Sequence, residues 1–365
     1  MFQLMRNWIN RYFADPQVVI LIILLLSGFV FILVFGTMLA PVLAALVIAY
    51  LLDGMVVWLQ RLKVPRNISV IVVFLIFLAC LLVLLIWLLP LLSSQIGQFL
   101  QDLPSMISRG QKEMMQLPQR YPELISQEQV DQFLNFISAE LNRLGQHILS
   151  LSLASVRGLI SVIIYLILVP LLVFFFLKDK KKIIGWYKAF LPDNRKLAID
   201  VWNEVNQQIV NYIRGKAWEI LIVWGVTWVT FQFLNLKFSL LLSLFVGLSV
   251  LVPYIGATVM FLPIGLIAFF QWGMSAPLVY TLIAYGIIQA LDGNLLVPLL
   301  LSGVVNLHPV AIIVAVLLFG GLWGIWGLIF AIPLATLFHA VLKIWVVHRL
   351  KIDPDAAVKA SQKVD

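Results

Sequence analysis

A short polar stretch interrupts otherwise apolar sequence at residues 289–298, which read Gln-Ala-Leu-Asp-Gly-Asn-Leu-Leu-Val-Pro. A charged Asp near the centre of a bilayer costs about 3 kcal/mol on insertion scales, so Asp292 needs a partner, a water-filled cavity or a proton. We interpret Asp292 as the proton- or ion-responsive group of a polar pathway, with Gln289 and Asn294 supplying hydrogen bonds. The alternative is a structural Asp paired with a neighbouring side chain or a helix N-terminus.

A second interruption lies in the apolar run from about 238 to 271, where Pro253, Tyr254 and Gly256 follow one another closely. Proline and glycine weaken membrane helices, and the freed backbone groups must find protein or water. The run therefore reads as two short helices, a hairpin or a broken helix. Broken helices can expose backbone groups to a solute or ion at the midplane. Close helix packing through glycine is the competing interpretation.

Four further polar residues are candidates for a site. His308 precedes a proline and is interpreted as a helix start that caps or lines a cavity. Arg214 and Glu219 could pair at a cytoplasmic entrance, although a separation of five is not ideal on a helix. Asp53 lies in apolar sequence near a basic loop. It either has a function in transport or simply extends its carboxylate to the membrane interface, and the sequence favours neither.

Several function classes have no support in the sequence. It contains no HExxH, GxSxG, Walker A or Cys–His arrangement, so we predict neither an enzyme nor a cofactor. The histidines are not spaced as a metal site, and the single Cys80 allows no disulfide framework. The basic residues behind the net charge of +8 sit beside apolar segments, which indicates contacts with lipid headgroups and not with nucleic acid.

Composition defines the class of protein. The chain is 62% hydrophobic and 12% charged, with a mean hydropathy of +1.03, whereas soluble domains are nearer half apolar and a quarter charged. We predict an all-α polytopic membrane protein in which about half a dozen to eight transmembrane helices fit, some of them broken or re-entrant in the C-terminal half.

Basic loops set the predicted orientation. Residues 61–66 and 178–182 are rich in Lys and Arg, which favours the cytoplasmic side and places both termini there. Gly36 and Thr37 are expected to form a tight reversal between spans at about 17–35 and 38–58. The third span is expected at about 68–92, and a fifth at about 216–236.

These assignments divide the chain into six predicted regions. The insert is expected to be helical, amphipathic and extracytoplasmic, and the basic linker to be either an interfacial helix or a cytoplasmic gate. The regions are N-terminal spans at 1–92, the insert at 93–152, a span at 153–177, the linker at 178–215, a C-terminal membrane region with broken helices at 216–347, and a cytoplasmic tail at 348–365.

Five motifs resemble signatures of the autoinducer-2 exporter family, and the resemblance covers nearly the whole length. The motifs are NQQIVNYIRGK (206–216), VPYIGA (252–257), QALDGNLLVPLL (289–300), VNLHP (305–309) and GGLWGIWGLIFAIPLA (320–335). The resemblance implies an inner-membrane, multi-pass protein with about eight spans that forms a homo-oligomer, with a pentamer as one candidate. Some members are associated with export of a furanone-type signal and others with sodium/proton antiport, and fold does not choose between these activities.

Three hypotheses for function follow. The first is secondary transport, in the export direction, of a small polar metabolite or signal molecule. The second is sodium/proton antiport, in which Asp292 would alternate between proton and sodium with Asp53 or Glu219. The third is an oligomeric channel or scaffold without coupled transport, because sequence cannot separate a channel from a carrier.

Overall fold

The computed structural model describes residues 16–120, 155–189, 196–301, 308–324 and 327–339, with isolated positions between 128 and 143. Within these ranges the chain is helical, with turns and no strand. Three parts of the chain lie outside the described residues: residues 1–15, most of the second half of the insert, and the C-terminal tail. The described helices are α1 Pro16–Arg61, α2 Arg66–Val83, α3 Leu89–Arg120, α4 Ser155–Lys178, α5 Lys180–Ala189, α6 Lys196–Phe233, α7 Ser239–Ser249, α8 Ile255–Trp272, α9 Ala276–Leu291, α10 Val297–Leu301, α11 Pro309–Trp323 and α12 Gly327–His339.

These helices make the chain an all-α polytopic membrane protein. Four of them are long and apolar enough to cross a membrane, or five if the bent pair at Val162–Lys178 and Lys180–Trp186 is one span. Three shorter apolar helices are also present in the described ranges. The predicted fold class is therefore confirmed.

The first helix differs from its prediction. We expected a tight reversal at Gly36 and Thr37, but α1 is a single helix of 46 residues that runs through both positions. One glycine in a helix interior costs only about 1 kcal/mol relative to alanine, which neighbouring apolar residues easily offset. The predicted position of the N-terminus depended on that reversal, so it remains a prediction.

A second uninterrupted stretch runs past the expected end of the third span. Helix α2 passes through a π-helical turn at Leu84–Leu88 directly into α3, so that helix continues from Arg66 to Arg120. Pro90 is thus accommodated within the helix. Proline has no N–H and its ring crowds the carbonyl four residues earlier, and a wider turn just before it relieves both problems.

The chain forms two compact units. The first unit comprises residues 1–70, 171–215 and 301–365, and the second comprises 71–170 and 216–300. In the first unit the two basic loops are adjacent, because the Arg66 guanidinium donates to the Leu177 carbonyl at 3.1 Å. Lys180 also pairs with Asp53 at 2.8 Å. Both loops therefore lie at the same end of the first unit, which agrees with the prediction that both are on the same side of the membrane.

The second unit has the described apolar core. Its members come from α3, α6, α7, α8 and α9, and they include Met106, Phe231, Val246, Ile264, Ala268 and Tyr285. Helix α6 runs without interruption from Lys196, in the basic linker, to Phe233 in the following apolar segment. The run from 238 to 271 is interrupted by a turn, with α7 ending at Ser249 and α8 beginning at Ile255.

Candidate functional site

Asp292 is the first residue of a second π-helical turn, Asp292–Leu296, which joins α9 to α10. The turn lies just before Pro298, so the polar stretch widens the helix instead of ending it. Asp292 is 7% exposed, which makes it a buried acid in an apolar segment. Its Oδ1 atom has no hydrogen-bond partner among the described residues.

A second buried acid, Glu219, lies on α6 and pairs with Lys216. The ammonium of Lys216 is 2.8 Å from Oε1 of Glu219, and the two side chains are 7% and 1% exposed. Removing two charges from water is expensive, and the attraction between them repays that free energy only when the geometry is good. Within the described chain, Oε2 of Glu219 is buried without a hydrogen-bond partner.

Asp292 belongs to the same electrostatic cluster. Its charge interacts with the ammonium of Lys216 and with the carboxylate of Glu219. We call Lys216, Glu219 and Asp292 the Lys216 cluster. Lys216 pairs directly with Glu219 alone, and its charge acts on Asp292 from farther away. With two acids and one base, the cluster carries an excess negative charge when both acids are ionised. A proton or a small cation can neutralise that excess, because the free carboxylate oxygens are suitable acceptors.

The break between α7 and α8 is attached to this cluster. Lys216 also donates a hydrogen bond of 2.8 Å to the carbonyl of Val250, at the end of α7. On the other side of the break, the Tyr285 hydroxyl donates to the Ala257 carbonyl at 2.8 Å. Side chains from α6 and α9 thus satisfy backbone groups that flank the interruption, as burial in an apolar environment demands.

The predicted residues of the break have distinct roles. Tyr254 has a φ of 63°, which a residue other than glycine rarely adopts, and its side chain is 60% exposed. Gly256 is buried against the backbone of Ser249, where an added Cβ would collide with the carbonyl oxygen. Pro253 lies in the turn itself, and its carbonyl accepts from Ile255 at 2.7 Å. Glycine at 256 therefore serves close backbone approach.

Gln289 and Asn294 differ in their surroundings. Gln289 is half-buried, and its Nε2 has no hydrogen-bond partner within the described ranges. Asn294 is exposed and donates back to the Ala290 carbonyl of its own helix at 2.8 Å. Of these two predicted hydrogen-bonding residues, Gln289 has the unused donor.

His308 and Arg214 belong to the first unit. His308 precedes α11, and its Nδ1 accepts from the Val310 amide at 3.3 Å, so it caps the helix. The guanidinium of Arg214 lies over Gly54, where an added Cβ would come within 3.0 Å of it. The predicted Arg214–Glu219 entrance remains a prediction, since the partner that the structure gives Glu219 is Lys216.

The chain matches one family model over most of its length. The family model described as AI-2E family transporter matches residues 19–347. The chain belongs to the AI-2E transporter family.

AI-2E relatives match over most of their length. The chain is 44% identical to "Putative permease PerM" of Escherichia coli strain K12 over 345 residues, which are 94% of this chain and 98% of the relative. It is 26% identical to "Putative transport protein YueF" of Bacillus subtilis strain 168, covering 88% of this chain and 87% of that protein. A "Putative transport protein" of Thermotoga maritima is 23% identical, with coverages of 86% and 90%. These AI-2E relatives carry names of transporters and permeases, not of enzymes.

Sequence reasoning did not single out two residues of this candidate site, Lys216 and Tyr285. The spacing of Lys216 and Glu219, three apart on a helix, is a signal that could have identified the pair. Tyr285 carried no comparable signal, because its partner Ala257 is a backbone carbonyl 28 residues away. No group of three or more His, Cys, Asp or Glu suited to a metal occurs among the described residues.

Proposed function

We propose that this AI-2E protein is a secondary transporter that exports a small polar solute and couples that export to a proton. The observation that supports the proposal is the Lys216 cluster, a buried Lys216–Glu219 ion pair with a second buried acid, Asp292, whose charge interacts with both. Intramembrane ionisable groups are rare, and they commonly mark ion pathways and proton relays. The cluster lies in the unit that holds the interruption between α7 and α8, and transporters commonly bind solutes at interrupted helices.

Coupling follows from the two hydrogen bonds of Lys216. Its ammonium binds Glu219 and the Val250 carbonyl at equal distances of 2.8 Å. Protonation of Glu219 or Asp292 removes a negative charge and changes the attraction that holds Lys216 in place. Because Lys216 also holds the end of α7, the proton affects the geometry of the break. Gln289, with its unused amide, is the proposed hydrogen-bonding contact for the solute.

The test uses purified protein in proteoliposomes with an imposed pH gradient and a panel of small polar metabolites. We expect proton-driven solute flux in the wild type and its loss in Asp292→Asn and in Glu219→Gln. The matched control is Glu204→Gln, the same change on α6 outside the cluster, which should transport like the wild type. Equal, gradient-dependent flux in all four proteins would contradict the proposal.

Sodium/proton antiport is the second candidate, and the same pair of carboxylates favours it. Sodium prefers oxygen ligands, and the free oxygens of Asp292 and Glu219 could accept either a proton or the ion. The two candidates separate in the same vesicles, because antiport requires sodium-dependent proton movement with no organic solute present. Solute flux that is independent of any ion gradient would indicate the channel alternative instead.

Orientation and assembly are part of the proposal. We place the protein in the bacterial inner membrane with both basic loops and both termini in the cytoplasm, supported by the adjacency of Arg66 and Leu177. Cysteine labelling at residue 63 and near the C-terminus in intact cells tests this, since a cytoplasmic thiol reacts only with membrane-permeant reagents. The proposed homo-oligomer, with the pentamer as a candidate, is tested by native mass spectrometry.

A further inference from the structure

A cavity of about 370 Å³ lies in the second unit, away from the Lys216 cluster. Small-molecule sites commonly have volumes of about 300–1,000 Å³, so this one has the size of a small-ligand site. Its lining is polar apart from one ring. The lining residues are Gln95, Gln98, Gln101, Asp102, Lys237 and Phe238.

Three of the lining residues form a row of amides on α3. Gln95, Gln98 and Gln101 are three residues apart, so they follow one face of the helix. Gln98 and Gln101 are exposed. Each amide offers donors and an acceptor, which suits a ligand that carries both kinds of group.

The opposite wall is the turn between α6 and α7, and its backbone is closely held. Gln271 accepts from the Lys237 amide and donates to the Asn235 carbonyl, each at 2.8 Å. Gln95 accepts from the Leu241 amide at 3.0 Å. Asn235 and Phe238 have positive φ values of 55° and 57°. The position of Lys237 is thus set before any ligand binds, which reduces the entropy lost on binding.

The charges in the cavity balance. The ammonium of Lys237 lies 2.8 Å from the Asp102 carboxylate, and the side chains are 50% and 39% exposed. An exposed pair of this kind is held weakly, so charges on a ligand can replace it. Phe238 is only 7% exposed, so it offers the cavity a small apolar contact, and its ring packs edge-on against Phe99 at 5.4 Å. One cation, one anion and a row of amides suit a ligand that carries both charges, and the exposed part of Phe238 can contact its carbon skeleton.

We propose that this glutamine-lined cavity binds a small zwitterionic solute of the free amino-acid type. The carboxylate of the solute meets Lys237, its ammonium meets Asp102, and its carbon chain packs on Phe238. The predicted orientation places α3 on the extracytoplasmic side, so the cavity would serve as the outer binding site of the transported solute. This last role rests on the proposed function, whereas the binding itself does not.

Equilibrium binding tests the proposal without any transport. The full-length protein in nanodiscs is titrated with radiolabelled L-leucine, and we expect saturable binding. Leucinamide lacks the carboxylate and 4-methylpentanoate lacks the ammonium, so neither should compete. Ribose, a neutral polyol, should also fail to compete. Absence of saturable L-leucine binding, or equal competition by ribose, would overturn the proposal.

Substitutions locate the binding. Lys237→Met and the double variant Gln98→Leu with Gln101→Leu should each weaken L-leucine binding about tenfold or more, as expected when hydrogen bonds to a charged group are lost. Gln111→Leu, on the same helix outside the cavity, is the matched control and should bind like the wild type. Each variant is first checked by size-exclusion chromatography for the wild-type elution volume. Wild-type affinity in both cavity variants would refute the assignment.

Asp292→Asn separates this proposal from the proposed function. That variant should lose proton-driven flux and keep L-leucine binding, because Asp292 does not line the cavity. If the wild type binds L-leucine but shows no proton-driven flux, the binding site stands and the coupling mechanism is wrong. If coupled flux of another solute is found without L-leucine binding, the coupling stands and the zwitterion site is wrong.

Discussion

Two π-helical turns in the second unit have nearly the same backbone and very different side chains. Leu84–Leu88 and Asp292–Leu296 each end two residues before a proline, Pro90 and Pro298. In each, the amide after the turn donates to the carbonyl five residues earlier. The first turn has no buried residue, whereas the second buries Asp292.

The difference separates a backbone effect from a functional one. Proline within a helix removes a hydrogen bond and crowds the carbonyl four residues earlier, which favours a wider turn at both places. Proline does not require such a turn, because Pro41, Pro170 and Pro263 lie inside described α-helices without one. π turns are frequent at functional sites, but the first turn shows that the geometry by itself marks nothing. The second turn is distinguished by a buried acid that interacts with Lys216.

The largest expected effect comes from removing Lys216, the cation whose charge interacts with Asp292 of the polar turn. Lys216→Met should lower the free energy of unfolding by about 3–5 kcal/mol, because it leaves buried carboxylates without their partner. Thermal unfolding in detergent, followed by fluorescence, measures the change. Lys180→Met breaks the pair with Asp53, whose side chains are 39% and 14% exposed, and should cost less, on the order of 1 kcal/mol. Equal losses in both variants would mean that burial does not distinguish the two pairs.

Placing an acid in the apolar turn should be nearly as damaging. Leu84 is the position equivalent to Asp292, and it is 48% exposed in an apolar helix. Leu84→Asp should cost about 3 kcal/mol for insertion, because no cation is available to it as Lys216 is to Asp292. The amount of folded protein recovered from membranes reports the effect, with Leu84→Met as the control. Normal recovery of Leu84→Asp would show that an acid in such a turn needs no partner.

Replacing the prolines tests the origin of the two turns. Pro90→Ala and Pro298→Ala should each raise the free energy of unfolding, by as much as about 3 kcal/mol, since alanine restores the helical hydrogen bond. Only Pro298→Ala should also reduce transport, because a regular turn would rotate Asp292 away from Lys216. Unfolding midpoints and vesicle flux for both variants decide this. If Pro90→Ala lost transport equally, the apolar turn would be functional too.

The smallest expected effect concerns the far side of the break. Tyr285→Phe removes the hydrogen bond to the Ala257 carbonyl and should cost about 1 kcal/mol, since that carbonyl lies in α8 and keeps its helical donor. Tyr280 lies on the same helix and is 60% exposed, so Tyr280→Phe is the matched control. Thermal unfolding of the pair measures the difference. Identical midpoints would indicate that water satisfies the carbonyl.

Features encoded in local sequence were predictable. Continuous apolar runs indicated helices in a membrane, and the cluster of Pro253, Tyr254 and Gly256 indicated the break between α7 and α8. The buried environment of Asp292 followed from the apolar residues on both sides. The reversal at Gly36 and Thr37 was wrong, because a single glycine is too weak a signal against a long run of good helix formers.

The class of fold, the place of the break between α7 and α8 and the buried acid near it follow from the amino-acid sequence alone. The groups that contact the break come from distant parts of the chain, and packing alone brings them there. Lys216 reaches the Val250 carbonyl across 34 residues, and Tyr285 reaches Ala257 across 28. The periodicity of apolar residues predicts which face of one helix is buried, but it does not predict where another helix lies. The pairing of buried charges depends on that position, because an ion pair in a low-dielectric interior forms only at hydrogen-bonding distance.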